Sequence, residues 1–193
     1  MVLGLLIAGY FVHLGPFVSM RPLPLAWSRA ALDAGELEVQ FTVSGVEFVR
    51  ARDASEPILT FAVLSRGEQR LALDDFNYFH AVERRGSRIF ALGESTTEGP
   101  GPTLELLVSE DDGLTFEHRA SVPKPNYQAN FEEWTIDGDE LTLVVSLADA
   151  DQLSSDWLWP WGQWRQEFPE PLVGPGRFVL RSKNAGHSWR LQR

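Results

Sequence analysis

The chain has 193 residues, which is enough for one domain with a hydrophobic core. Its formal net charge of −10 argues against a nucleic-acid partner, because the nucleic-acid backbone is itself anionic. The sequence contains no cysteine, which excludes disulfide bonds, thiolate metal sites and cysteine nucleophiles. Composition alone therefore describes an acidic globular protein and points to no chemistry.

The first segment, residues 1–20, contains no Asp, Glu, Lys or Arg. Residues 2–18 would span roughly 25 Å as an α-helix, close to the ~30 Å hydrocarbon core of a bilayer. A cleaved signal peptide and a retained membrane anchor are the alternatives. The segment lacks a basic start and a clear small-residue cleavage site, and this favours the anchor. We predict a transmembrane helix over 1–20 and a linker over 21–36.

Three residues of this predicted helix are candidates for contact with another membrane helix. Gly4 and Ala8 form a small-xxx-small pair, which allows two helices to approach closely. His13 is an ionisable group within an apolar segment, which is typical of a functional position. A neutral imidazole packed on a neighbour is the alternative interpretation of His13.

From residue 37 onwards the pattern changes to short strands separated by turn signals, which is typical of all-β proteins. An internal repeat is visible, because 79–86 leads into 89–92 in the same way that 131–138 leads into 141–144. Each repeat places Gly seven residues after Phe, at a predicted hairpin turn. The two repeats cover 76–123 and 126–192, and a more degenerate one precedes them.

Two stretches near the ends of these repeats share the pattern Ser-x-Asp/Asn-x-Gly-x-Ser/Thr-aromatic. The matching residues are Ser109, Asp111, Gly113, Thr115 and Phe116 in the first, and Ser182, Asn184, Gly186, Ser188 and Trp189 in the second. The pattern resembles the Asp-box, or BNR, repeat of sialidase-like β-propellers. This resemblance implies a β-propeller-like domain of four-stranded antiparallel units over 37–193.

The residue types of the box suit a structural turn. The Asp or Asn side chain can accept hydrogen bonds from backbone N–H groups two or three residues on, and Gly permits a backbone angle that other residues resist. A calcium site at Glu110, Asp111 and Asp112 is the alternative. The second box has Lys183 and Asn184 in the corresponding places, which does not suit a shared metal role. We predict no metal and no cofactor.

The number of units is small, since propellers usually close with 4–8 blades and this chain provides three. An open array would expose the edges of its sheets. Three alternatives follow: a homo-oligomer that completes the propeller, pairing with another protein, or a compact two-sheet fold.

The second repeat carries an insertion near 153–175 that is rich in tryptophan. Its candidate partner-binding residues are Trp157, Trp159, Trp161, Trp164 and Phe168. Trp is enriched in protein interfaces and at membrane surfaces, and it also stacks on sugar rings. The alternative is that these side chains form a small satellite core.

No catalytic motif is present. Sialidases carry an arginine motif of the Arg-Ile-Pro type, and the nearest string here is Arg88-Ile89-Phe90. We predict a non-catalytic, membrane-anchored accessory or scaffold subunit that docks on a larger membrane protein complex. Assembly factors with this repeat suggest a photosynthetic or respiratory host. The alternative is a carbohydrate-binding or glycosidase-derived module at the cell surface.

Two signals bear on localisation, and they disagree. Arg21 and Arg29 follow the apolar segment, which favours a cytoplasmic position for what comes after it. Members of the resembled family are often exported, which implies an extracytoplasmic, periplasmic β domain. We predict an extracytoplasmic, periplasmic β domain.

Overall fold

The computed structural model describes residues 23–29, 32, 34–56, 59–73, 76–95, 103–123, 130–147 and 176–192. Within these ranges the protein is all-β, with thirteen strands in three antiparallel sheets and no helix. The all-β prediction is therefore confirmed for the described residues. The predicted transmembrane helix over 1–20 lies outside them.

Each sheet contains four strands that follow one another in the chain, and we call these groups unit 1, unit 2 and unit 3. Unit 1 consists of β2 (Ala34–Val43), β3 (Val46–Asp53), β4 (Thr60–Arg66) and β5 (Gln69–Leu73). Unit 2 consists of β6 (Tyr78–Arg85), β7 (Arg88–Ser95), β8 (Thr103–Ser109) and β9 (Phe116–Pro123). Unit 3 consists of β10 (Asn130–Asp137), β11 (Glu140–Leu147), β12 (Gly176–Ser182) and β13 (Arg190–Gln192).

The predicted linker over 21–36 contains a strand, β1 (Leu23–Leu25), which adds a fifth strand to unit 2. It pairs antiparallel with the outer edge of β9, with Pro24 opposite Glu117. An edge strand tolerates proline because one side of its backbone needs no partner. The pairing of β1 with β9 was not predicted from the sequence.

Two-residue turns join the first two strands of each unit. Gly86 and Gly138, the glycines predicted to mark hairpins, have φ angles of 63° and 59°. In unit 1 the turn is formed by Ser44 and Gly45, with φ angles of 52° and 75°. Backbone angles of this sign match the right-handed twist of the strands on either side.

Unit 2 lies between the other two units, and β7 shows this most clearly. Ile89 and Ala91 pack in a core shared with unit 1, whereas Phe90 and Leu92 pack in a core shared with unit 3. Side chains along a strand alternate between the two faces of its sheet. The uninterrupted apolar run of β7 therefore results from burial on both faces.

The two main cores are inter-unit interfaces. In the described residues, neither core combines side chains of unit 1 with side chains of unit 3. A third, smaller cluster of Val49, Ala51 and Val63 lies on the face of unit 1 that points away from unit 2. Units 1 and 3 are thus the two end units of the array, with unit 2 between them.

Candidate functional site

The first box forms the loop between β8 and β9. Asp111 Oδ1 accepts hydrogen bonds from the Ser109 hydroxyl at 2.8 Å and from the Thr115 N–H at 2.8 Å. Asp111 Oδ2 accepts from the Thr115 hydroxyl at 2.7 Å, and the Gly113 N–H donates to Ser109 Oγ at 2.8 Å. The backbone N–H that donates to Asp111 belongs to Thr115, four residues on rather than the two or three expected from the sequence.

The second box, between β12 and β13, repeats this geometry with an amide in place of the carboxylate. Asn184 Oδ1 accepts from the Ser182 hydroxyl at 2.9 Å and from the Ser188 N–H at 3.0 Å. Asn184 Nδ2 donates to Ser188 Oγ at 3.0 Å, and the Gly186 N–H donates to Ser182 Oγ at 2.9 Å. The loop therefore requires an acceptor at this position rather than a negative charge. The box aromatics, Phe116 and Trp189, are buried.

The glycine of each box also touches the preceding unit. Gly113 has a φ of 83°, and a Cβ on it would lie 2.6 Å from Cγ2 of Val46 in unit 1. Gly186 has a φ of 91°, and a Cβ on it would lie 2.1 Å from Cδ2 of Leu106 in unit 2. Only glycine combines this backbone angle with such close contact. The boxes thus hold successive units together as well as closing a loop.

A buried arginine completes the contact between units 2 and 3. The side chain of Arg119 is 3% exposed, and its Nη1 donates to the carbonyl oxygen of Ala185 at 3.1 Å. Its Nη2 donates to Glu110 at 3.0 Å, and it also forms an ion pair with Glu117. Arg88, in the string nearest to the sialidase motif, bridges Glu110 to the β10–β11 turn. These cations therefore serve the joint between units.

The acidic residues considered as calcium ligands are engaged within the protein. Asp112 accepts hydrogen bonds from the Ser44 hydroxyl at 2.6 Å and from Arg84 Nε at 2.8 Å. The bond from Ser44 contributes most to lowering the pKa of the Asp112 carboxyl. Asp111 holds its hydrogen-bond donors within the box, and Glu110 pairs with arginines. These carboxylates stabilise the box and its joints with units 1 and 3.

A second group of polar side chains lies where the three units meet, and we call it the junction cluster: Arg50, Tyr78, His80, Glu94 and Phe131. His80 Nε2 lies 2.6 Å from Glu94 Oε2, and the two side chains are 17% and 5% exposed. The centroid of the His80 ring lies 4.9 Å from the Tyr78 ring centroid and 5.1 Å from the Phe131 ring centroid. The Cζ atom of Arg50, in unit 1, lies 5.9 Å from the Tyr78 ring centroid.

The electrostatics of the junction cluster keep its phenol protonated. Burial, followed by the charge of Glu94 and a hydrogen bond to it, raises the pKa of Tyr78 to about 12. At neutral pH Tyr78 is protonated, as an ordinary phenol also is, and its hydroxyl can donate a hydrogen bond to Glu94. The buried Glu94 carboxylate faces both Tyr78 and His80. The cluster joins units through polar contacts, and its imidazole is already engaged with a carboxylate.

A similar pair lies on the opposite face of unit 2. His118 Nε2 lies 2.6 Å from Glu105 Oε2, with side chains 14% and 5% exposed, and Phe76 packs edge-on against the imidazole. The spacing of residues along the sequence indicates neither His–Glu pair. Each pair joins two adjacent strands, so only the register of those strands could indicate that the two residues meet. For His80 this register is obscured by a bulge between Phe79 and Ala81.

On the outward face of unit 1, two large apolar side chains of β2 are exposed, whereas the neighbouring Val49, Ala51 and Val63 are buried. Leu37 and Val39 are 55% and 52% exposed, and Val39 lies directly opposite the buried Val49. The outward face of unit 3 is more polar, since Arg181 of β12 lies opposite Thr142 of β11 in the middle of the sheet. The array is therefore apolar at one end and more polar at the other.

Several predicted site residues lie outside the described residues: Trp157, Trp159, Trp161, Trp164 and Phe168 of the insertion, and Gly4, Ala8 and His13 of the N-terminal segment. Among the residues that the structure does describe, there is no helix of the length and apolarity needed to cross a membrane. Comparisons with models of protein families, with characterised proteins and with solved structures give no match.

Proposed function

We propose that this chain is a membrane-anchored, non-catalytic accessory or scaffold subunit, with a β-propeller-like body that docks on a larger membrane protein complex. Three consecutive four-stranded units, stacked face to face and joined by boxes, support the propeller-like description. Three units are fewer than the 4–8 blades with which propellers close. The N-terminal segment 1–20 is the proposed anchor, and the body is extracytoplasmic.

One observation carries the docking role. On the outward face of unit 1, Leu37 and Val39 of β2 are 55% and 52% exposed, beside the buried cluster of Val49, Ala51 and Val63. The opposite face of unit 1 is buried against unit 2. An apolar sheet face at the end of an array is a typical site for another protein. The occupant that we propose is an apolar surface on a subunit of the membrane complex.

The polar clusters support a non-catalytic role. At the junction cluster the phenol is held protonated, and the His80 imidazole pairs with Glu94. The carboxylates of the first box accept hydrogen bonds from hydroxyl groups and from arginines. A catalytic base needs room for a substrate proton within hydrogen-bond reach. These groups are instead occupied by one another.

The test is a comparison of native complexes. The full-length protein would be extracted from its membrane in a mild detergent and sized, as wild type and as Leu37→Ser/Val39→Ser. We expect the wild type to migrate with its complex and the double variant to migrate largely alone. Leu114→Ser is the control, because Leu114 is 58% exposed but lies on a box loop.

Two results would contradict the proposal. One is a wild-type protein that migrates as a lone monomer, and the other is equal loss of the complex in the Leu114→Ser control. The alternative of a carbohydrate-binding module predicts a different outcome. Glycan affinity that disappears in Trp159→Ala/Trp161→Ala would support that alternative.

A further inference from the structure

The array has two sides at which the strands of its units end. On the first, which we call the box side, lie both box loops and the turns that join the first two strands of each unit. Contacts between units fix this alignment, since the Ser44 hydroxyl donates to Asp112 at 2.6 Å and Arg88 pairs with Asp139. On the opposite side, which we call the loop side, the second strand of each unit connects to the third. These connections are residues 54–59, 96–102 and 148–175.

The chain reaches β1 from the loop side. β1 runs antiparallel to β9, and Leu25 lies opposite Phe116, the aromatic residue that ends the first box. β1 therefore runs towards the box side. Trp27 continues in that direction, because its indole N–H donates to the carbonyl oxygen of Leu114, in the first box, at 2.8 Å. The residues that precede Leu23 thus start from the end of β1 that points to the loop side.

The connection between the proposed anchor and β1 is short. From Val18, the last of the apolar residues 2–18, the chain has five residues to reach Leu23, which cover at most about 17 Å. From His118, which lies opposite Leu23, β9 continues for five residues to Pro123, or about 17 Å, towards the loop side. The two lengths match, so a membrane anchor brings the loop side close to the bilayer surface.

Two prolines oppose a reversal of this connection. Pro22 favours an extended conformation at Arg21, and Pro24 does the same for Leu23, which is extended in β1. A turn back towards the box side would have to fit into residues 19 and 20. The sequence therefore favours a straight path from the anchor, along the edge of β9, towards the boxes.

The described surface of the loop side carries an exposed apolar side chain on a fixed turn. Leu59 is 51% exposed, its N–H donates to the Glu56 carbonyl at 2.8 Å, and its carbonyl accepts from the Asp53 N–H at 3.1 Å. Leu37 of the proposed docking face lies near the start of β2, also towards the loop side. The tryptophan-rich connection 148–175 starts and returns there, and tryptophan is enriched at membrane–water interfaces. Apolar groups on this side gain free energy when they leave water.

We propose that the loop side of the array rests on the bilayer surface, with Leu59 in the interfacial layer and both boxes pointing away from the membrane. The partner of this surface is lipid. The inference rests on the membrane anchor of the proposed function and deepens it, because it identifies the side of the body that faces the bilayer. It also brings Leu37 close to the membrane, where a subunit of a membrane complex can meet it.

The experiment measures the depth of single fluorescent labels on the full-length protein in vesicles. Because the sequence contains no cysteine, Glu56→Cys and Glu68→Cys each carry one label. Both glutamates are exposed, and they lie at opposite ends of β4: Glu56 on the loop side, and Glu68 beside Arg66, which donates to the Gly113 carbonyl of the first box. The vesicles are zwitterionic phosphatidylcholine, because the loop that carries Leu59 is acidic. They are prepared with and without a small fraction of lipid that bears a nitroxide on its headgroup.

Nitroxide quenching requires near contact, and the seven residues of β4 separate the two labels by about 23 Å. We therefore expect the nitroxide lipid to lower the fluorescence of the label at 56 about twofold or more, and to leave the label at 68 almost unchanged. Leu59→Cys and Leu114→Cys repeat the comparison with two leucines that are 51% and 58% exposed. The label at 59 should be quenched and the label at 114 should not.

Flotation of the vesicles in a density gradient separates failure of the anchor from failure of the orientation. A protein that does not float with the vesicles contradicts the anchor of the proposed function, and this inference falls with it. A protein that floats, but whose labels at 68 and 114 are quenched as much as those at 56 and 59 or more, overturns the orientation alone. The same holds if none of the four labels is quenched.

Discussion

Replacing Asp111 tests whether the box needs an acceptor or a charge, because the second box supplies the reference geometry. Asp111 accepts three hydrogen bonds of 2.7–2.8 Å, from the Ser109 hydroxyl and from the N–H and hydroxyl of Thr115. Each such bond contributes about 0.5–1.5 kcal/mol net, so Asp111→Ala should cost roughly 2–3 kcal/mol. Asp111→Asn can keep all three contacts in the arrangement seen at Asn184, and should cost less than about 1 kcal/mol.

The same pair of variants separates the effect of pH. Partial burial alone would raise the pKa of the Asp111 carboxyl, but the hydrogen bonds from Thr115 and Ser109 outweigh it and lower the pKa. A folded-state pKa below the unfolded one stabilises the protein above the unfolded pKa. That stabilisation is lost as the pH falls through the folded pKa. Asp111→Asn lacks this contribution and should lose less stability in acid than the wild type.

The assay is urea unfolding of the full-length protein, followed by tryptophan fluorescence between about pH 7 and about pH 3. Asp53, Asp112 and Glu132 also have lowered pKa values, and they remain in every variant. The difference between wild type and Asp111→Asn therefore isolates Asp111. The reasoning fails if Asp111→Asn is as unstable as Asp111→Ala at neutral pH, or if it keeps the full acid dependence of the wild type.

Three further predictions concern the joints between elements, each with a urea or exchange measurement. Gly186→Ala should cost roughly 2–4 kcal/mol because the new Cβ has no room, whereas Gly138→Ala, at an open turn, should cost only about 1 kcal/mol. Glu94→Gln, in a buried pair, should cost roughly 1–3 kcal/mol, while Glu133→Gln, in an exposed pair, should cost less than about 1 kcal/mol. Trp27→Phe removes the indole donor and should accelerate amide exchange in β1; unchanged exchange would show that the indole hydrogen bond does not hold β1 against β9.

Much of the strand pattern could be predicted because it depends on local signals. The glycines at 86 and 138 mark turns that need a positive φ, and the apolar runs beside them become strands. β1 could not be predicted in the same way, since three residues that include Pro24 carry no periodicity. Its partner, β9, is distant in the chain. Pairing of this kind depends on tertiary contact rather than on the local sequence.

The candidate surfaces were harder to predict for a related reason. Leu37 and Val39 alternate with polar residues, and this pattern is typical of any strand with one buried face. The sequence does not indicate that unit 1 is the end of the array, so it does not indicate that this face is exposed. The His80–Glu94 pair was missed because a bulge shifts the register by one residue. A spacing rule applied along the chain cannot detect it.

The two boxes show which parts of the repeat are fixed by folding and which are free to differ. Both loops form the same hydrogen bonds, and both glycines touch the preceding unit. The residues just outside this geometry differ, since Glu110 and Glu117 of the first box correspond to Lys183 and Arg190 of the second. Both glutamates pair with the buried Arg119, which also donates to the carbonyl oxygen of Ala185 in unit 3. The acidic residues beside the first box therefore belong to the joint between units 2 and 3, so folding accounts for them as it accounts for the box. Leu37 and Val39 of unit 1 take part in neither the boxes nor this joint, and this is why they are the candidates for contact with a partner.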